Sequence, residues 1–187
     1  MSDNPTRIGR RKFIRGVSVV TMGATAASAT AAEAAQATPT WAGAILHAGD
    51  GQAMPTTPDG RKVTVKIDSQ ETPGVRMSMI SEDLPPNAEI RVHLHQREDE
   101  IIFIRMGHGI ATLGDREIAV VAGATIYVPQ GVWHGLRNSG TDTLGMSATY
   151  SPPGYEQAFK ERLRRPNRTQ AEIEADRKKH GIVYRTP

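Results

Sequence analysis

No cysteine occurs in the 187-residue chain. That excludes disulfides and any thiolate metal site. Their absence is compatible with export but does not demand it. The chain also lacks the roughly 20 consecutive, strongly apolar residues that a membrane-spanning helix needs. It shows no internal repeat. Excess charge is missing too, once the N-terminus is set aside. Of 23 basic and 20 acidic residues, five and two fall in the first 35, which leaves 18 of each. A neutral remainder removes the electrostatic basis for a general nucleic-acid partner. The length suits one domain with extensions and is enough to bury a core.

What the N-terminus does contain is an ordered series of compositions. Arg10-Arg11-Lys12-Phe13-Ile14-Arg15 is basic, and Gly16 to Ala32 carries no charge. Small residues recur at Ala29-Thr30-Ala31 and Ala32-Glu33-Ala34. This is the layout of a cleavable export signal. The paired arginines before Phe13 resemble a twin-arginine signal. The uncharged stretch is rich in Ala, Ser and Thr and poor in Leu, which fits that route better than a stable membrane anchor. Residues 1–35 are therefore expected to be an export signal, and the mature protein to be periplasmic or secreted. A disordered cytoplasmic tail or a retained single helix is the alternative. Residues 36–41 read as a linker.

The body reads as all-β. Val63, Val65 and Ile67 alternate with polar residues, as on a half-buried strand. Val75, Met77 and Met79 alternate next, with the methionines expected to fill the core or line the interior. Ile90, Val92 and Leu94 are expected on one face, with Arg91, His93 and His95 on the other. Ile101 to Ile104, Thr125 to Val128 and Leu144 to Tyr150 are further strand candidates, and Asp115 marks a hairpin. Many short strands with Gly and Pro between them predict an antiparallel sandwich or barrel over residues 36–150. Residues 151–187 read as a helical extension, with helices over Tyr155 to Leu163 and Thr169 to Lys179. Thr169 and Glu172 have the spacing of a capping box. Gly181 is placed to stop the second helix. Residues 160–185 hold nine basic and four acidic side chains. A solvated helical face is the default reading, and an anion-binding surface is the alternative.

Chemistry concentrates in two blocks. The first is Asn87-x5-His93-x-His95-x4-Glu100-x6-Gly107, and the second is Gly123-x5-Pro129-x-Gly131-x2-His134-x3-Asn138. Positions i and i+2 of a strand share a face, so His93 and His95 project side by side. Four polar residues after His95 can turn the chain and bring Glu100 alongside. His134 follows a Pro-x-Gly turn on a remote segment. Three imidazoles and a carboxylate suit a divalent first-row metal. Glu98 and Asp99 are alternatives to Glu100, but the spacing favours Glu100. His108 and His180 read as solvent-exposed, and His47 lies before the motif region. Alternation turns Trp133 away from the metal and toward packing.

These blocks resemble the two conserved motifs of the cupin superfamily. The second motif matches in full. The first departs only at its leading glycine, which here is Asn87, the non-Gly type that best tolerates a left-handed conformation. The resemblance covers roughly residues 45–150. It implies a small double-stranded β-helix (jelly-roll) barrel holding one metal on His93, His95, Glu100 and His134, with positions open for water, substrate or dioxygen. It leaves the ion as iron, manganese, nickel, copper or zinc. Glu100 would be both ligand and catalytic base. Family precedent implies a homodimer built by sheet-edge pairing. Ser151-Pro-Pro-Gly154-Tyr155-Glu156, with Lys179-His180-Gly181-Ile182, is similar to the ending of quercetin-dioxygenase-like single-domain cupins. The expected function is a dioxygenase-like oxidoreductase acting on a small organic substrate. The alternatives are a small-molecule-binding metal cupin without catalysis and a metal-dependent isomerase or lyase.

Overall fold

Alternating apolar residues with Gly and Pro punctuation produce eleven strands and two helices among the described residues of the computed structural model, which are 43–165 and 167–186. The expected export signal and linker lie outside them. Contacts divide the chain after Asp50. Of the first unit only residues 43–50 are described, an exposed stretch in which the Asp50 N–H donates to the His47 carbonyl at 3.0 Å.

The second unit holds every regular element found among the described residues. In chain order these are β1 (Gln52–Ala53), β2 (Lys62–Ile67), β3 (Ser78–Leu84), β4 (Glu89–His95), β5 (Asp99–Met106), β6 (His108–Leu113) and β7 (Arg116–Val121). They continue with β8 (Thr125–Val128), β9 (His134–Asn138), β10 (Leu144–Ser151), α1 (Tyr155–Arg164), α2 (Gln170–Lys179) and β11 (Ile182–Tyr184). One sheet has the order β1-β2-β3-β10-β5-β8, and the other β11-β4-β9-β6-β7. The strands pair antiparallel, giving a double-stranded β-helix. The core lies between the sheets. Val65, Ile80, Ile104 and Met146 fill it from the first, Ala111 and Leu136 from the second.

Period-two alternation sets which side chains reach the interior. In β5, Glu100, Ile102 and Ile104 are buried, while Ile101 and Phe103 face out. In β3 the inward set is Ser78, Ile80, Glu82 and Leu84. Met77 and Met79 therefore do not fill the core: Met77 is exposed and Met79 sits on the outward face, paired with Thr149. The expected facing of β4 also needs correction. A register shift between Ile90 and His93 interrupts simple alternation, so Ile90 packs on the core and lines the same small cavity as His93.

Turn residues explain how the strands reach this arrangement. Asn87 adopts φ +66°, the left-handed conformation expected where the motif departs from glycine. At Gly107 (φ +77°) a Cβ would lie 2.5 Å from the Thr143 carbonyl oxygen, so no side chain fits. Asn138 is buried as a clamp. Its Nδ2 donates to the carbonyls of Leu84 at 2.9 Å and Asp142 at 2.8 Å, and its Oδ1 accepts from the Gly140 N–H at 2.9 Å.

The C-terminal segment is not helical throughout. After the capping box of Thr169 and Glu172 and the left-handed Gly181, the chain re-enters the sheet as β11. There Ile182, Val183 and Tyr184 pair with His95, Leu94 and His93. Helix α1 is fixed from the other side by a buried polar network. Gln157 Nε2 donates to Asp68 Oδ1 at 2.7 Å, the Ser69 N–H donates to Glu156 Oε1 at 3.0 Å, and Lys160 Nζ pairs with Asp68 Oδ2. Asp68 is 1% exposed and Lys160 4%. Removing one partner of such a pair strands the other as a buried charge. Lys160→Ala is expected to lower the unfolding free energy by about 3–5 kcal/mol in urea titration. A loss under about 1 kcal/mol, the scale of an exposed pair, would show that this contact does not hold α1.

Candidate metal centre

Three histidines come from one sheet and the carboxylate from the other. His93 and His95 lie two apart on β4, and His134 opens β9 directly opposite His93. Glu100 lies on β5, between Tyr150 of β10 and Val128 of β8. The Pro-x-Gly turn before His134 is tied to the end of β4, because the Gly131 N–H donates to the His95 carbonyl at 2.8 Å. All four side chains are buried, and one ligand atom from each lies within 4.8 Å of the others. Donor atoms about 2.0–2.2 Å from a shared ion stand no more than about 4.4 Å apart, so a few tenths of an ångström separate this set from a coordination shell.

The contacts fit a cation better than a hydrogen-bond network. Glu100 Oε2 lies 2.9 Å from His134 Nε2 and 3.2 Å from His95 Nε2. Yet none of these three buried atoms has a hydrogen-bond partner of proper geometry. The His93 and His134 Nδ1 atoms stand 2.9 Å from the carbonyls of Arg91 and Val132. A proton on each Nδ1 satisfies those carbonyls and leaves the Nε2 lone pairs directed inward, the orientation that metal-binding histidines take from their outer partners. His95 Nδ1 instead looks toward the buried Glu98 Oε2, 4.0 Å away. Glu98 therefore stands behind His95. Asp99 faces outward, its oxygens accepting from the Gln130 N–H and the Tyr127 hydroxyl. Glu100 alone of the three acids completes the cluster.

Protonation is shaped by burial and by the cluster itself. Burial, reinforced by His134 and His95, pushes His93 down to about 3, so its ring is neutral. Burial opposes ionisation of Glu100, but contacts with His134 and His95 outweigh it and hold the carboxyl below its usual range. Burial also opposes charge on His134, and the Glu100 contact more than offsets it, raising that ring. A proton and a metal ion thus compete for His134 Nε2. Burial keeps the hydroxyls of Tyr150 and Tyr155 protonated, raising both well above the usual phenol value.

Little room is left beside the cluster. A cavity of about 10 Å³ is shared by His93, Glu100, His134, Glu82, Tyr150 and Tyr155. That is close to the minimum for a single water. The ring of Tyr155 stands 4.3 Å from that of His95, and the ring of Tyr184 stands 5.6 Å from that of His93. The C-terminal segment therefore roofs the site. A larger hollow of about 290 Å³, lined by Arg91, Arg137 and Glu117, touches none of the four clustered residues.

Residues 81–149 match the cupin domain family. The match takes in 69 of the 187 residues. An uncharacterized protein of Methanocaldococcus jannaschii is 29% identical over 97 residues, covering 52% of this chain and 78% of that one. The oxalate-binding protein of Thermotoga maritima is 30% identical over 61 residues, 33% of this chain and half of its own length. The crystal structure of a predicted oxalate decarboxylase from Thermotoga maritima superposes with TM-score 0.52 at 17% identity, over 58% of this chain and 99% of that one. At that identity the likeness concerns the cupin fold.

Several residues around the cluster were not singled out by motif spacing. Tyr184 arrives through β11, and Tyr155 through the first turn of α1. Glu82 belongs to β3, whose inward alternation of Ser78, Ile80, Glu82 and Leu84 is the signal that could have found it. His180 is half-buried rather than exposed, its Nε2 3.0 Å from Glu161 Oε2. His108 is exposed but begins β6 rather than lying in a turn. Trp133 packs away from the cluster, under the Arg185 guanidinium at 5.2 Å.

Two outcomes follow from this geometry. His134→Ala is expected to lose stoichiometric metal on gel filtration, measured by elemental analysis; a variant that kept one ion per chain would sink the four-ligand centre. The second concerns Glu82, whose Oε2 lies 3.2 Å from Arg61 Nη1. Burial raises its carboxyl from 4.5 to about 7 despite the Arg61 attraction. A raised folded value favours folding below the unfolded value, and the benefit is lost as pH rises through the folded one. In metal-free protein, Glu82→Gln should therefore gain stability relative to the native chain as pH rises from 4.5 to about 7. A pH-independent difference in denaturant titrations would contradict this.

Proposed function

We propose that the protein is an exported, mononuclear metal cupin: a dioxygenase-like oxidoreductase that acts on a small organic molecule bearing paired oxygen donors. The observation that carries this reading is the buried convergence of His93, His95, Glu100 and His134 without hydrogen bonds that would account for it. These four would hold the ion. A divalent metal bound there supplies Lewis acidity and, where redox-active, a means of bringing an organic substrate and dioxygen together.

The chain's own groups supply the rest. The Arg91 and Val132 carbonyls fix the tautomers of His93 and His134, so both rings are preset for the ion. Glu100 serves as ligand and as the base that takes a proton from a substrate hydroxyl, the proton moving from that oxygen to its carboxylate. Ile102, Leu136 and Met146 keep bulk water away, which strengthens charge interactions inside. The cavity of about 10 Å³ has room for about one water, so an organic substrate would be admitted by movement of the Tyr155 roof. Export is supported by Arg10-Arg11-Lys12-Phe13 and the uncharged stretch behind it.

A second reading is capture without turnover. It is favoured by the same tight cavity and by the relative named as an oxalate-binding protein. One preparation separates the readings. Protein expressed with its own N-terminus is recovered from the exported fraction and its metal content measured. Dioxygen uptake is then followed with a β-diketone, catechol and oxalate. The expected result is about one iron, manganese, nickel or copper per chain, with uptake on an enol or phenol that His134→Ala abolishes. Stoichiometric oxalate binding without uptake would select capture. Protein found only in the cytoplasm would overturn export, and protein without metal would overturn the metal reading.

A further inference from the structure

The basic excess of residues 160–185 has a second aspect in three dimensions. A cavity of about 80 Å³ lies between α1, α2 and β11. Arg162, Arg168 and Arg177 line it against a single acid, Asp176. That acid is already engaged: both its oxygens take Arg165 Nη2 at 2.8 Å, and Oδ2 also takes Arg168 Nη1 at 2.6 Å. Arg168 is only 10% exposed, yet its buried Nε has no hydrogen-bond partner among the described residues. The buried Nη2 of Arg162 has none either. The large majority of buried donors of this kind meet an acceptor, from protein, water or ligand.

The remaining walls define what that acceptor is attached to. The Arg162 guanidinium stacks on the Phe159 ring at 4.7 Å and that of Arg177 on the Tyr184 ring at 4.5 Å. Stacking fixes a guanidinium plane and leaves its edge for a planar partner. Tyr155, Phe159 and Ile173 make the rest of the lining largely apolar. A planar, singly charged acceptor with an apolar body satisfies both halves of this surface. A fully hydrated oxyanion satisfies only one.

We propose that this cavity is a docking site for the carboxylate of a small organic acid, with Arg162 and Arg168 as its donors. Tyr155 is shared between this cavity and the one beside the metal-type cluster, so the acid docks against the roof of that centre. The dock stands on its own geometry and does not depend on the metal reading.

The test uses the full chain stripped of metal by a chelator, titrated with benzoate and with inorganic phosphate at constant ionic strength. Calorimetry is expected to show saturable benzoate binding and weaker phosphate binding. Arg162→Gln should weaken benzoate tenfold or more. Arg164→Gln, which removes the same charge from an exposed position on α1, should change it less than twofold. Benzoate should also shift the Arg168 Nε–H resonance in the native chain, a readout that needs no variant to fold. Absence of saturable binding by metal-free protein, phosphate binding as tightly as benzoate, equal losses in both variants, or an unmoved Arg168 resonance would each overturn the assignment.

Discussion

The constraint on which the structure turns is the burial of one carboxylate against three imidazoles. Glu100 comes from β5 in one sheet, and His93, His95 and His134 from β4 and β9 in the other. Side chains of this kind are expensive to remove from water unless their lone pairs meet a proton or a cation. Here the lone pairs meet at distances near 3 Å without hydrogen-bond geometry. The sheets must therefore be held rigidly enough to keep the four groups converged. Asn138, the Gly131-to-His95 hydrogen bond and the close approach at Gly107 all serve that registration.

The C-terminal segment extends the same logic. A barrel open at its mouth would leave the cluster in water, where opposed charges attract weakly. Helix α1 brings Tyr155 over His95, and β11 brings Tyr184 over His93. Neither placement rests on apolar packing alone. The helix is fastened by Asp68, Glu156 and Lys160, and the strand by backbone pairing to β4. The roof thus belongs to the domain it covers, and its own arginine-lined cavity lies against the chamber below.

How far this was legible in the sequence differs from element to element. The helix limits near Tyr155 and Lys179, the Thr169 capping box and the Gly181 stop were readable because they depend on neighbours three or four residues away. The hairpin around Asp115 was readable for the same reason. The cluster itself was readable because two spaced motifs constrain it jointly. The facing of β3 was not. Its inward set contains Ser78 and Glu82, so a hydrophobic alternation points to Met77 and Met79 instead. The register shift in β4 was equally invisible, since it arises from pairing with β9 rather than from the residues of β4. Strand β11 is three residues long and gains its identity only by hydrogen bonding to β4.

By itself, then, the sequence determined the residue types of the cluster, their spacing, the strand-rich body and the helical ends, because these follow from periodicity and local backbone preference. Tertiary structure decided that Glu98 stands behind His95, how small the adjoining cavity is, and which side chains roof it. Those properties depend on distances between segments far apart in the chain, set by sheet register and by a buried ion pair, and no local pattern encodes them.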